Sequence, residues 1–173
     1  MANWGTLVVR HSAAVEEFLR TAHQISADRW TQPTAPGRWS PAEITSHLIE
    51  SYHTFRNELA GGSGMGLRLG PIRRWLLRRT MLPRILSTGT FPAGARAPRE
   101  IRPREVQPDP RIALHTLSTE ADAMVQELSD RMRTGRVRLT HAYFGRMSAR
   151  QSLALATVHT RHHARQLAAA VAA

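Results

Sequence analysis

Val158-His159-Thr160-Arg161-His162-His163-Ala164-Arg165-Gln166-Leu167 lies in an alanine- and leucine-rich run with no proline or glycine from Ser148 onward. Alanine and leucine lose little on entering a helix, so the run predicts a helix. At about 100° per residue, His159 and His163 stand one above the other. Gln166 lies on the same strip, Ser152, Leu155 and Ala170 continue it, and Arg150, Arg161 and Arg165 fall on the far side. The two histidines therefore face whatever this helix packs against. One inward histidine is more often a hydrogen-bonded core residue than a ligand. An inward pair four residues apart is at the spacing that lets two imidazoles reach one metal ion. His159 and His162, three apart, form a competing pair; His163 is preferred because His162 is rotated toward the arginine flank. Two ligands do not make a stable site, so the rest of the chain has to supply a third.

With 173 residues and 42% hydrophobic content, the chain is expected to form one domain, 1–173, around a real core. The sequence contains no cysteine. Disulfides and thiolate sites are thereby excluded, and histidine and carboxylate are left as the strong protein ligands. The opening residues Met1-Ala2-Asn3-Trp4-Gly5 lack a basic region followed by an apolar one, and no run approaches the roughly 18 apolar residues of a membrane span. A soluble, cytoplasmic protein is expected, without membrane association. Net charge is +11, and every one of the 24 cationic residues is arginine. The segment Gly61–Gln107 alone carries ten arginines against two glutamates, or +8. That charge belongs to one connecting segment, with no aromatic stacking motif or recognition helix beside it, so nucleic acid is a disfavoured partner.

Taken in order, Leu7–Ala27 places Val8, Val15, Phe18, Leu19, Ala22 and Ile25 on one helical face opposite Glu16, Glu17, Arg20 and Gln24. His11 falls on the apolar side, either as a satisfied core residue or as a pocket residue. Asp28–Trp39 reads as a loop through Pro33, Pro36 and Gly37. Ser40-Pro41-Ala42-Glu43 then combines a serine N-cap, a proline at the first helical position and a glutamate three residues after the cap. It opens a second helix to about Ala60, with Ile44, Leu48, Tyr52, Phe55 and Leu59 as its core stripe. His47 lies at the edge of that stripe and is the third expected ligand, while Glu50 and His53 point further away.

Gly61–Gln107 is an arginine-rich connection in which only Pro71–Leu82 reads as helical; Ile72, Trp75, Leu76 and Leu82 share a side that Arg79 interrupts. Its length suits a crossover between two helices that run the same way. A third helix follows Asp109-Pro110 to about Met132, burying Leu114, Leu117, Ala121, Met124, Val125 and Leu128 and leaving His115 exposed. Arg133–Met147 is expected to be a second connection, with Val137–His141 too short to claim as a strand. Ser148-Ala149-Arg150-Gln151 is another capping box and opens the histidine helix. The four apolar stripes agree on an all-α four-helix bundle with its long crossover between the second and third helices.

Trp39-Ser40-Pro41-Ala42-Glu43-Ile44 followed by His47-Leu48, together with His141-Ala142-Tyr143-Phe144-Gly145 and later His159-x-x-x-His163 and Gln166, resembles the DinB-like superfamily. The resemblance implies a four-helix bundle, often a homodimer, with metal held by one histidine of the second helix and an H-x-x-x-H pair of the fourth. Those positions are His47, His159 and His163. It also implies a metal-dependent hydrolase, or a transferase using a low-molecular-weight thiol, on a small-molecule substrate. The arginine-rich segment departs from that pattern. Three neutral imidazoles suit zinc first, then nickel, with ferrous iron also compatible. They leave an open coordination position, as catalytic sites do. Glu50, His11 and His162 are the candidates for a general base, and Gln166 is expected to orient a ligand or to pack. Two other classes remain open beside the enzyme: a non-catalytic module that binds metal or ligand, and a nucleic-acid-associated protein acting through the arginine segment.

Overall fold

A computed structural model describes residues 3–33, 35–92 and 97–171. Four long helices build the bundle: α1 (Trp4–Ala22), α3 (Pro41–Leu59), α5 (Pro110–Thr134) and α6 (Ala149–Val171). Between them lie α2 (Ala27–Trp30), α4 (Pro71–Thr88), a 3₁₀ turn at Arg99–Ile101, and two short strands, β1 (Arg138–His141) and β2 (Gly145–Ser148).

Three of the four long helices begin where the sequence places caps, whereas α1 begins at Trp4 and ends at Ala22, not at the Leu7 and Ala27 expected. Ser40 Oγ accepts from the Glu43 amide at 3.2 Å, and Glu43 Oε2 accepts from the Ser40 amide at 2.7 Å. The Ser148 and Gln151 side chains make the same reciprocal pair at the start of α6. Asn3 caps α1 and Asp109 caps α5 by accepting from the amides of Thr6 and Arg111. Each such cap satisfies amides that the helix itself leaves orphaned and contributes roughly 1 kcal/mol.

The buried stripes meet in one core. Phe18, Leu117, Met124, Leu128, Leu153 and Leu167 are fully enclosed, each removing an apolar side chain from water for about 1.5–3 kcal/mol. Polar ties add direction. The Tyr52 hydroxyl meets Thr160 Oγ1 at 2.8 Å between α3 and α6, and Trp4 Nε1 donates to Ser129 Oγ between α1 and α5.

The contacts also fix the sense of the helices. Ser46 bonds the Glu105 carbonyl, His53 pairs with Glu120, and Arg56 grips Glu120 and Glu127. Residue numbers rise together, so α3 and α5 run the same way. Across the bundle His11 faces Thr157 and Glu17 pairs with Arg161, so α1 and α6 do likewise. The chain between α3 and α5 must therefore travel back along a 19-residue helix, roughly 28 Å.

Three local features differ from the sequence expectation. Arg133–Met147 is not a plain connection: β1 and β2 form an antiparallel hairpin, Leu139 opposite Met147. It holds because both of these side chains are buried, because Gly145 adopts φ +69°, and because Glu58 accepts from the Thr140 amide and hydroxyl. Within the expected loop, α2 forms where Trp30 inserts fully and donates from Nε1 to the Gln107 carbonyl. Finally, α4 continues past Leu82 through Pro83 to Thr88. Leu82 and Ile85 are buried in a second cluster with Phe144, Met147, Leu155 and Val158, and this packing outweighs the amide that Pro83 lacks.

Candidate metal centre

α3 and α6 bring together the three histidines that the sequence singles out. His47 Nε2 lies 2.9 Å from His159 Nε2, and His163 Nε2 lies 3.1 Å from the same atom. One ring nitrogen from each of the three is within 4.8 Å of the other two. The ring centroids stand 4.7 to 4.9 Å apart, all at steep angles. His47 and His163 are buried and His159 retains partial exposure, so the approach from solvent is on the His159 side.

What lies behind the rings decides their tautomers. His47 Nδ1 donates to the carbonyl of Ile101, at the end of the crossover segment. His163 Nδ1 donates to Gln166 Oε1 at 2.8 Å. Gln166 is oriented in turn, since its amide nitrogen donates to His162 Nε2 at 3.0 Å. With Nδ1 protonated in both, His47 and His163 present bare lone pairs from Nε2. His159 could donate one proton to one of them at most. At least one of the two close nitrogen contacts then sets lone pair against lone pair, an arrangement that a cation at the convergence point relieves. A tetrahedral cation with bonds of about 2.0–2.1 Å would hold its donors about 3.3 Å apart. The two separations to His159, 2.9 and 3.1 Å, are near that value, and the donor set fits a borderline divalent ion.

Electrostatics agree with neutral ligands. Burial pulls His47 down to about 4 and holds His159 and His163 well below the usual histidine range, with the neighbouring histidines acting in the same direction. No proton competes for these nitrogens near neutral pH.

The other histidines are sorted by position. His162 is half-buried beside His163, tied to Gln166. His11 is buried elsewhere, edge-on to Tyr52 and 3.4 Å from Thr157 Oγ1, with Nε2 unpartnered. It does not join the cluster. Glu50 is half-buried on α3 with no bond to the cluster among the described residues, His53 pairs with Glu120, and His115 is exposed. Of the three base candidates, only His162 stands at the site.

Several residues lie at the site without having been assigned to it from the sequence, Trp39 and His141 of the quoted motifs among them. Trp39 packs against His47 at 4.8 Å between ring centroids, and Phe91 lies against His159 and His162 at 5.8 and 5.5 Å. His141 stacks on Phe144 at the hairpin and contributes to the field at His159. Trp39 could have been suspected from its place one residue before the cap. Phe91 sits in a proline- and glycine-rich stretch that carries no periodic signal, and Arg96 lies outside the described residues.

A helical bundle with a histidine cluster held between its second and fourth long helices is the class that this fold and site define. The chain belongs to the DinB superfamily, whose family model matches residues 10–167. No curated protein and no solved structure matches it.

Proposed function

We propose that this protein is a divalent-metal-dependent enzyme acting on a small molecule at the His47, His159 and His163 site, either as a hydrolase or as a transferase using a low-molecular-weight thiol. The observation that carries the reading is the convergence of three Nε2 atoms, two of which, on His47 and His163, are left with bare lone pairs by the bonds behind their rings. Zinc is the first expectation and nickel the second, because neutral imidazoles suit both. A divalent ion held there supplies a Lewis acid with an open coordination position.

The chain's own residues do the remainder. Ile101 and Gln166 hold two rings in register, and the partly exposed His159 leaves an approach flanked by Phe91. Phe91 and Trp39 pack their rings against the sides of the cluster. His162 Nε2, the acceptor of the Gln166 amide, is the group nearest at hand to take a proton, and releasing that amide is the condition for it to act.

The test is elemental analysis of the protein as purified, followed by assays of the metal-loaded protein with ester, amide and electrophilic substrates, with and without small thiols. A stoichiometric divalent metal lost in His47→Ala and His159→Ala, with turnover that disappears along with it, supports the enzyme. A bound metal with saturable ligand binding and no product across the panel would make the site a binding module instead.

A further inference from the structure

The N-terminal half of α4 is a surface that the metal site does not use. Ile72, Trp75 and Leu76 are 80%, 60% and 52% exposed. They are spaced three and four residues apart and so lie together on one side of the helix. Leu82, which the sequence pattern groups with them, is buried. The helix is thus fastened by its far half and leaves three large apolar side chains in water on the near half.

Its orientation is fixed from behind. Arg78 donates to the Arg146 carbonyl in β2 at 2.6 Å, and Leu82 and Ile85 are buried against Phe144, Met147, Leu155 and Val158. These contacts turn the opposite side outward. Arg79 does not break the exposed stripe, because its guanidinium folds over the Trp75 ring at 5.6 Å. Arg73, Arg79 and Arg84 are exposed and have no carboxylate partner among the described residues. Arg79 therefore lies with the apolar stripe, and Arg73 and Arg84 flank it.

We infer that this face of α4 docks on an anionic phospholipid surface, with Ile72, Trp75 and Leu76 entering the headgroup boundary and Arg73, Arg79 and Arg84 meeting lipid phosphates. Charge complementarity selects the occupant. A second copy of the chain would bring the same +8 segment and a total of +11 against it. Nucleic acid offers phosphates but no hydrocarbon phase for Ile72 and Leu76. A bilayer boundary offers both at one depth, where arginine stems bury and their heads stay wet. No helix among the described residues is long and apolar enough to cross a membrane, so the contact lies in the plane of the surface.

The experiment uses the full chain and vesicles of phosphatidylcholine, alone or with about one part in three of phosphatidylglycerol. The protein should sediment with the anionic vesicles and not with the neutral ones, and added salt should weaken the association. Trp75 is the one exposed tryptophan of the four, since Trp30 is enclosed and Trp4 and Trp39 are half-buried. A blue shift on vesicle binding should therefore vanish in Trp75→Phe. Ile72→Ser with Leu76→Ser, and separately Arg73→Gln with Arg79→Gln and Arg84→Gln, should each cut binding about tenfold or more. Both sets lie on the surface, and retention of the helical circular dichroism signal checks that the fold survives. Failure to sediment with anionic vesicles overturns the inference. So does a wild-type dimer that Ile72→Ser with Leu76→Ser converts to monomer, or vesicle and duplex DNA binding that this pair leaves unchanged.

Discussion

The histidine cluster and the arginine-rich crossover are the two polar concentrations of this chain, and they are built in opposite ways. In the cluster the rings of His47 and His163 each have a second nitrogen tied down, to Ile101 and Gln166, and the environment strips their charge. In the crossover, Arg73, Arg79 and Arg84 stand in water. The number of polar residues is therefore a poor guide to where chemistry lies. A few groups forced out of solvent and held from behind have defined tautomers and directions, whereas many solvated charges have only a field.

The sharpest way to break the comparison is to remove one ring. His47→Ala or His159→Ala should lower metal content from about one ion per chain to less than a tenth, and metal affinity at least 100-fold, because only two ligands remain. Elemental analysis after dialysis reads the outcome. Retention of metal at full stoichiometry in both variants would mean that the cluster is not the site.

His11 separates burial from clustering. It is as enclosed as His47 but stands alone, and burial lowers it to about 4 from the ordinary 6.5. The folded state then binds fewer protons than the unfolded chain between those values, so stability is fully present above about pH 6.5 and declines as the pH falls toward 4. The linked loss is roughly 3 kcal/mol. His11→Leu should flatten that acid limb in urea unfolding followed from pH 7.5 to pH 4. At neutral pH it should cost little, because the Thr157 hydroxyl already donates to the Leu153 carbonyl and Nε2 has no partner to lose.

Most of this contrast was legible in the sequence, and the exceptions are instructive. His159, His163 and His47 could be placed because a helix converts spacing into direction, and the capping boxes at Ser40 and Ser148 fixed where each helix starts. The β1–β2 hairpin was not legible, because its four-residue strands rest on a distant carboxylate, Glu58, and on two buried residues, Leu139 and Met147. Phe91 and the Ile101 carbonyl were beyond reach for the same reason: they arrive at the site from an irregular segment whose path no period describes. The continuation of α4 through Pro83 reflects tertiary packing of Leu82 and Ile85 that outweighs a local rule.

Gln166 tests how much of the cluster's order comes from its backing bonds. Gln166→Leu removes the acceptor from His163 Nδ1 and the donor from His162 Nε2 together. Metal affinity should fall about 10- to 100-fold while stoichiometry at saturating metal persists. Competition with a chromogenic chelator measures it. Gln166→Glu, which keeps an acceptor for His163, should recover most of the loss. If the leucine variant binds as tightly as wild type, the ring is held by packing alone.

The smallest effect belongs to the crossover, and its smallness is the point. Arg73→Gln, Arg79→Gln and Arg84→Gln together remove three charges that touch no carboxylate among the described residues. Exposed substitutions of this kind change stability by about 0.5 kcal/mol or less each. Here relief of like-charge repulsion within a +8 segment opposes the lost Arg79–Trp75 contact. The urea midpoint at low salt should stay near that of wild type, and metal content should be unchanged. A marked drop in either would show that the arginines fasten the crossover over the histidines, and the separation drawn between the two regions would fail.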